Sequence, residues 1–268
     1  MRRFFLDARV PEGQEAVELR GADAHHLRDV LRARPGDAVS VCDADGTELD
    51  CTIDALDTDR VRLHVRARRP AATEPPYDAV VLQALVKGER MDWLVQKAVE
   101  LGAARIVPFS AARSVVRLSP DEGPKKAERW SRIAEEAAKQ CGRARIPVVL
   151  PPVPFAEALR LCAAADVAFL PWEGERETDL AFLVRDPSAR AALDAARRDG
   201  RRPKLAFLVG PEGGFDAEEV AASVAAGLRT VTLGRRILRA ETAAPAALAQ
   251  LSLLLETGGA DPGDRRPV

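Results

Sequence analysis

The stretch that decides the fold is Leu208-Val209-Gly210-Pro211-Glu212-Gly213-Gly214-Phe215-Asp216. Before it, Leu205-Ala206-Phe207-Leu208-Val209 is an unbroken apolar run of strand length, as expected for a strand covered on both faces. The run ends in a loop with three glycines. Asp216 and Glu219 then supply a capping box for a helix, with Phe215 and Val220 as its hydrophobic staple. Glycines at the carboxyl end of such a strand let a ligand approach the backbone, and ligands of open α/β sheets bind at that edge. The loop is neither GxGxxG nor a GK[ST] P-loop, so its pattern suits a ligand held by backbone N–H and C=O groups better than a phosphate.

A second loop, Leu233-Gly234-Arg235-Arg236-Ile237-Leu238-Arg239-Ala240-Glu241-Thr242-Ala243, closes the strand Thr230-Val231-Thr232-Leu233. It opens a helix running from about Thr242 to Glu256, with Pro245 placed where a missing N–H is harmless. Two such loops on adjacent elements form two walls of one pocket. Taken singly, the arginines would be solvated surface charge, and Glu212 a carboxylate satisfying helix N-terminal donors.

Outward from these loops, strands and helices alternate from Tyr77 onward. Strands are expected at 78–85, 105–109, 148–150 and 167–170. One helix carries Met91, Leu94, Val95, Ala98 and Leu101 on a stripe and stops at Gly102. Another runs from about Pro124 to Cys141, burying Trp130, Ile133, Ala134, Ala137, Ala138 and Cys141, with Arg132/Glu136 and Glu135/Lys139 as outer pairs. The alternation argues for a mostly parallel α/β sheet. Residues 1–70 read instead as short strands of a small β-barrel, interrupted by one helix near 22–32 whose apolar side is Leu27, Val30 and Leu31. The proline-rich 71–76 is a linker, 77–257 the second domain, and 258–268 a frayed tail.

Composition narrows the function classes. Forty Lys+Arg against 41 Asp+Glu leave a net charge of −1, so a polyanion must be gripped by local patches. No run reaches the length of a membrane span, and an acidic residue at Asp7 comes too early for a signal peptide. Four cysteines without a CxxC pair indicate reduced thiols in a cytoplasm. All three histidines lie in the first 64 residues, and with no HExxH or GxSxG no metal site or serine hydrolase is expected.

The paired text V-G-P-E-G-G-F (209–215) and L-G-R-R-I-L-R-A-E-T-A (233–243) resembles the cofactor loops of the SPOUT superfamily of RNA methyltransferases. Within it the chain is similar to the bacterial 16S ribosomal RNA uridine-N3 methyltransferases, which act on uridine 1498. R-R-F-F (2–5), H-L-R-D-V-L-R-A-R-P-G-D (26–37), the block 87–102, R-S-V-V-R (113–117) and A-A-K-Q-C-G-R (137–143) carry the likeness along nearly the whole chain. Lys139 and Cys141 depart from it, where an acidic residue and a serine would be expected. The resemblance implies a PUA-like RNA-binding β-barrel followed by a parallel sheet with a deep trefoil knot around 205–257, a rare exception to unknotted chains. It also implies a homodimer, S-adenosylmethionine as cofactor, and 16S RNA of the small ribosomal subunit as partner.

On that resemblance, Leu170, Val209, Gly210, Pro211, Glu212, Gly213, Gly214, Leu233, Gly234, Ile237, Leu238, Arg239, Thr242 and Ala243 are expected to hold the cofactor, Ile237 and Leu238 lining the adenine. Methylating uracil N3 requires loss of a weakly acidic proton, hence a proton acceptor, a cation near the uracil oxygens, or both. Arg239 is the expected cation and Glu241 or Glu212 the acceptor. Arg2, Arg3, His26, Arg28, Arg32 and Arg34, with Arg113 and Arg143, are the expected RNA contacts. Arg28 and Arg32 would share one helix face. Two other classes remain open: a noncatalytic RNA-binding assembly factor on this fold, and a nicotinamide dehydrogenase, which would need a dinucleotide fingerprint that is missing.

Overall fold

The structure is a computed structural model and describes residues 3–119 and 121–256. Arg2 and the 258–268 tail lie outside the described residues. The chain divides into two compact units, Met1–Glu74 with Ala138–Ile146, and Pro75–Ala137 with Pro147–Val268. Sequence alone assigns 138–146 to the second domain, whereas these residues pack with the first. There, Glu74 Oε1 accepts the backbone N–H groups of Ala144 (2.9 Å) and Arg145 (3.2 Å), and Oε2 lies 2.7 Å from the Arg143 guanidinium.

The first unit contains β1 (Arg3–Phe5), β2 (Ala16–Arg20), α1 (Gly21–His25), β3 (Ala38–Cys42), β4 (Thr47–Leu56) and β5 (Arg60–Pro70). The strands form one sheet in the order β1-β3-β4-β5-β2, antiparallel except for β1 on β3. Irregular register at Asp50/Cys51 and Ile53/Ala55 curls β4 against β5. The concave side buries Phe4, Val17, Leu19, Leu27, Val41, Leu49, Ile53 and Leu63. β1 and β2 are its two edges, so the small barrel expected is a curled half-barrel.

The helix expected over 22–32 is corrected. After α1 the backbone widens into a π turn over His26–Val30, in which the Leu31 N–H reaches the His26 carbonyl at 3.0 Å. The wider turn rotates Val30 and Leu31 off the buried side that Leu27 keeps, leaving them 60% and 41% exposed. Arg32 follows with φ +51° and ends the helix, so it does not share a regular helical face with Arg28.

In the second unit a parallel sheet is built from β6 (Asp78–Ala84), β7 (Ala103–Ser110), β8 (Val148–Val149), β9 (Val153–Pro154), β10 (Val167–Pro171), β11 (Lys204–Val209) and β12 (Arg229–Val231). Their order is β12-β10-β11-β6-β7-β8, with β9 also on β7. The helices between them are α2 (Arg90–Glu100), α3 (Glu122–Cys141), α4 (Phe155–Ala163), α5 (Leu180–Arg185), α6 (Pro187–Arg198), α7 (Ala217–Ala225) and α8 (Ala240–Leu255). Alternation along each strand sends Leu82, Ala84, Val107, Phe109, Ala206 and Leu208 to one face, where they meet Ala158, Cys162, Phe215 and Val220. Phe109, Phe155 and Phe215 form an aromatic trio there. Because the strands are parallel, the loops after β6, β7, β10, β11 and β12 lie along one carboxyl edge.

Three local expectations change. α8 begins at Ala240, so Pro245 falls at its sixth residue and leaves the Glu241 carbonyl without its helical donor. Arg132 pairs with Glu128 rather than Glu136. Lys139 is not on an open outer face: its side chain is largely buried, 3.4 Å from Asp23.

Candidate active site

The glycine loop leaves β11 and enters α7 through the capping box. The Asp216 side chain accepts the Glu219 N–H at 2.7 Å, and Glu219 Oε2 accepts the Asp216 N–H at 3.2 Å. Glu219 also reaches across to the loop after β7, where its Oε1 accepts the Ala112 N–H at 2.7 Å. That loop folds over the glycines, since the Arg113 guanidinium donates to the Gly213 carbonyl at 3.1 Å. A Cβ on Gly213 would lie 3.3 Å from the Arg113 Cβ. Gly214 takes φ +68°, and a Cβ there would lie 2.8 Å from a Glu173 carboxylate oxygen. The loop after β10 thus touches the glycine loop as well.

Glu212 faces the loop after β6. Its Oε1 accepts the Lys87 N–H at 3.0 Å and lies 3.2 Å from the Arg90 guanidinium. Partial burial of Glu212 acts to raise its pKa, but these backbone donors and the Arg90 and Lys87 charges outweigh it and hold the carboxyl below the usual range. Arg90 also lies 3.7 Å from Glu241 Oε1, so one guanidinium stands between the two candidate acceptors. Arg239 is the extended residue before α8; its side chain is 80% exposed and 4.0 Å from Glu241. Glu241 Oε2 is buried with no hydrogen-bond partner among the described residues.

The loop after β12 is tied to the loop after β10. The Thr232 N–H donates to the Thr178 carbonyl at 2.8 Å, and Thr230 Oγ1 donates to Glu175 at 2.7 Å. Between them opens a cavity of about 370 Å³, lined by Arg176, Asp179, Thr232, Leu233, Gly234, Arg235 and Gln250. That volume lies within the range of small-molecule sites. Gly234 has φ +122° and open space where a Cβ would stand. Gln250 Nε2 donates to the Leu233 carbonyl at 3.3 Å and fixes that wall.

Of the expected cofactor residues, Leu233 and Gly234 line this cavity; Gly210, Pro211, Glu212, Gly213 and Gly214 lie on the same sheet edge but not on its walls. Val209 and Leu170 are buried strand residues, and Thr242 and Ala243 sit in the first turn of α8. Leu238 is half-buried, but Ile237 is 81% exposed, so the chain by itself does not fold Ile237 into an adenine pocket. Sequence reasoning missed Arg90, Glu173, Arg176, Asp179, Glu219 as a bridge to Ala112, and Gln250. A signal existed for Arg90, Glu173 and Arg176, which follow strands at the same carboxyl edge; none existed for the contact between Glu219 and Ala112.

The expected RNA contacts differ in availability. The Arg143 side chain is buried against Glu74, and the Arg3 side chain is mostly buried beside Glu48 at 3.1 Å and donates to the Gly142 carbonyl. Arg28 is held by Asp29 and by the Asp57 and Thr58 carbonyls. His26 packs near Phe4, ring centroids 6.3 Å apart. Arg32, Arg34 and Arg113 are exposed.

Fold and site edge together define a parallel α/β protein with a ligand cavity at its carboxyl sheet edge and an accessory β domain. Residues 73–252 match the model of an RNA methyltransferase domain, and residues 19–66 match that of an RNA methyltransferase PUA domain. The chain is 33% identical over 258 residues to ribosomal RNA small subunit methyltransferase E of Bacillus subtilis, covering 96% of this chain and 98% of that one. It is 31% identical over 265 residues to the Mycobacterium bovis protein of the same name, covering 97% and 95%. A crystal structure of a ribosomal RNA small subunit methyltransferase E from Neisseria gonorrhoeae, bound to S-adenosyl methionine, matches with a TM-score of 0.78 at 32% identity, covering 95% of this chain and 98% of that one. The chain belongs to the ribosomal RNA small subunit methyltransferase E family.

Proposed function

We propose that the chain uses S-adenosylmethionine to methylate N3 of one uridine, at position 1498, in the 16S RNA of the small ribosomal subunit. The observation that carries this reading is the cavity between the loops after β10 and β12, with Leu233 and Gly234 on its wall and the glycine loop on the same sheet edge. Gly234, open where a Cβ would stand, and the backbone groups around it suit a flat, uncharged adenosine. When bound, S-adenosylmethionine supplies a methyl group made electrophilic by its sulfonium.

The chain's own tasks are to take the N3 proton and to steady charge on the uracil oxygens. Glu241 fits the acceptor role better than Glu212: its Oε2 has no donor, whereas Glu212 is engaged by Lys87 and Arg90 and held low. Because Oε2 is buried, direct transfer to it requires the Glu241 carboxylate to be uncovered as the base docks. The exposed Arg239 guanidinium, beside Glu241, is placed to face that base.

In this reading 1–70 binds RNA, 77–257 holds cofactor and chemistry, and 71–76 joins them. Arg32 and Arg34 offer open guanidinium groups for phosphates, Arg113 is exposed but donates to the Gly213 carbonyl, and Arg3, Arg28 and Arg143 would first have to leave their present partners. The knot belongs to the same proposal: β12 lies at the sheet edge beyond β10, and α8 returns to pack on β6, β11 and α2. So does the homodimer. From Thr242 to Leu255 α8 carries no charge, and Phe182 and Ile237 stand 62% and 81% exposed, apolar surface that a second copy would cover. A cytoplasmic location suits an enzyme of ribosomal RNA, and no helix among the described residues is long and apolar enough to cross a membrane.

Transfer of labelled methyl groups from S-adenosylmethionine to 16S RNA or small subunits, with digestion to nucleosides, tests the reading. Label in N3-methyluridine supports it; label in another nucleoside overturns the assigned chemistry.

A further inference from the structure

In the first unit the chain leaves α1 through a π turn that presents an apolar pair to solvent. A regular helix through 21–31 would have placed Val30 and Leu31 beside the buried Leu27, three and four residues on. The π turn over His26–Val30 instead turns both outward, and Arg32 takes a left-handed φ of +51°, the one such non-glycine residue among those described. π turns and left-handed non-glycine residues carry a conformational cost and cluster at functional sites. The result is a protruding apolar pair, Val30 and Leu31, followed by the exposed Arg32 and Arg34, whose guanidinium groups pair with no described residue. The acidic groups of residues 21–37 are already engaged. Asp29 is bound by Arg28 and His25, Asp37 accepts the Arg34 backbone N–H at 2.7 Å, and Asp23 faces Lys139.

We infer that Val30 and Leu31 form an apolar wedge that packs on an unstacked base of the RNA substrate, while Arg32 and Arg34 hold the flanking phosphates. This rests on the reading of the chain as an RNA enzyme. RNA is recognised in single-stranded loops and bulges, where splayed bases present apolar faces and the neighbouring phosphates call for cations. A wedge ringed by unpaired guanidinium groups matches that combination.

The two parts of the surface make separable contributions, and the test uses the full chain with transcribed 16S RNA. Val30→Ser with Leu31→Ser should melt like the wild type, since both side chains are exposed, yet bind about tenfold more weakly with an unchanged salt slope. Leu31→Phe should bind at least as tightly as wild type. Arg32→Ala with Arg34→Ala should flatten the slope of log K against log salt by about 1.4, roughly 0.7 per single-strand phosphate. A double-serine variant that binds like wild type overturns the wedge, as does one whose loss of affinity comes with a flatter slope. Wild-type binding to acidic lipid vesicles that the double-serine variant loses, with RNA affinity intact, would reassign the surface to membranes. Failure of the wild-type chain to bind the RNA at all would remove the RNA reading itself, and the wedge with it.

Discussion

The buried carboxylate of Glu219 accepts the backbone N–H of Ala112 at 2.7 Å, across 107 positions of sequence. It thereby holds the loop after β7, and Arg113 with it, against the glycine loop that its own capping box closes. Removing this carboxylate leaves the backbone N–H groups of Ala112 and Asp216 without their partner and halves the capping box, whose Asp216 side chain remains. Glu219→Ala should therefore destabilise by about 2 kcal/mol, a fall in Tm of roughly 4–8 °C. Glu219→Gln, with one acceptor oxygen instead of two, should fall between. Amide exchange at Ala112 reads the contact directly: unchanged protection in Glu219→Ala would remove the bridge.

Gly214 combines a left-handed backbone with a neighbour, Glu173, where a side chain would start. Glu173 can swing aside, so the cost of substitution falls on the loop's conformation rather than on the core. Gly214→Val should abolish detectable S-adenosylmethionine binding in calorimetry while melting stays cooperative. Gly227→Val makes the control: it also has positive φ with open space, but it precedes β12 at the opposite sheet edge and should bind normally. Equal affinity in the two variants would contradict the loop's assignment.

Arg239 is mostly exposed and makes one distant ion pair, so its loss should leave stability within about 0.5 kcal/mol. Methyl transfer should nonetheless slow by about 10²–10³ in Arg239→Ala, the usual range for losing a donor to developing charge. Arg239→Lys should recover little, because the planar fork is lost. Single-turnover rates of the alanine variant should rise with pH as more uracil ionises by itself. A wild-type rate, or a defect confined to cofactor affinity, would move the role to another residue.

Glu175 folds the loop that forms one cavity wall. Its carboxylate accepts the backbone N–H groups of Glu177, Thr178 and Arg176 and the Thr230 hydroxyl, which pull its pKa from 4.5 down to about 2. A carboxyl held lower in the folded chain than in the unfolded one stabilises fully above about pH 4.5, and the contribution fades as pH falls toward 2. Glu175→Gln should melt below wild type at pH 7, and the gap should close on acidification. A gap as wide at pH 2.5 as at pH 7 would show that the carboxylate's charge is not what holds the loop.

Much of the fold was legible because local chemistry and tertiary packing agree. The apolar run 205–209, the capping box at Asp216 and the Phe215 staple all mark a strand, loop and helix that the structure contains. The helix near 22–32 was misread because periodicity assumes 3.6 residues per turn, and a π turn within it keeps Leu27 buried but turns Val30 and Leu31 outward. Grouping of 138–146 with the first unit draws on Glu74, a buried carboxylate in a segment that composition marks only as a linker, and on pairs such as Lys139 with Asp23 and Arg3 with the Gly142 carbonyl, all distant in sequence. At the site, pattern located the two glycine-bearing loops but not their neighbours. Arg90 and Arg176 follow strands that end at this edge, a signal the pattern did carry, whereas Gln250 reaches the cavity from within α8, which no local pattern encodes.

The central claim is tested most directly on ribosomal RNA from a strain lacking its own enzyme for this modification, mapped by mass with and without this chain. A single added methyl group of 14 Da is expected at uridine 1498 of 16S RNA, on N3, restored by the wild-type chain and not by Arg239→Ala. Unmodified RNA in the presence of the folded wild-type chain, or a methyl group at another nucleotide, would contradict it.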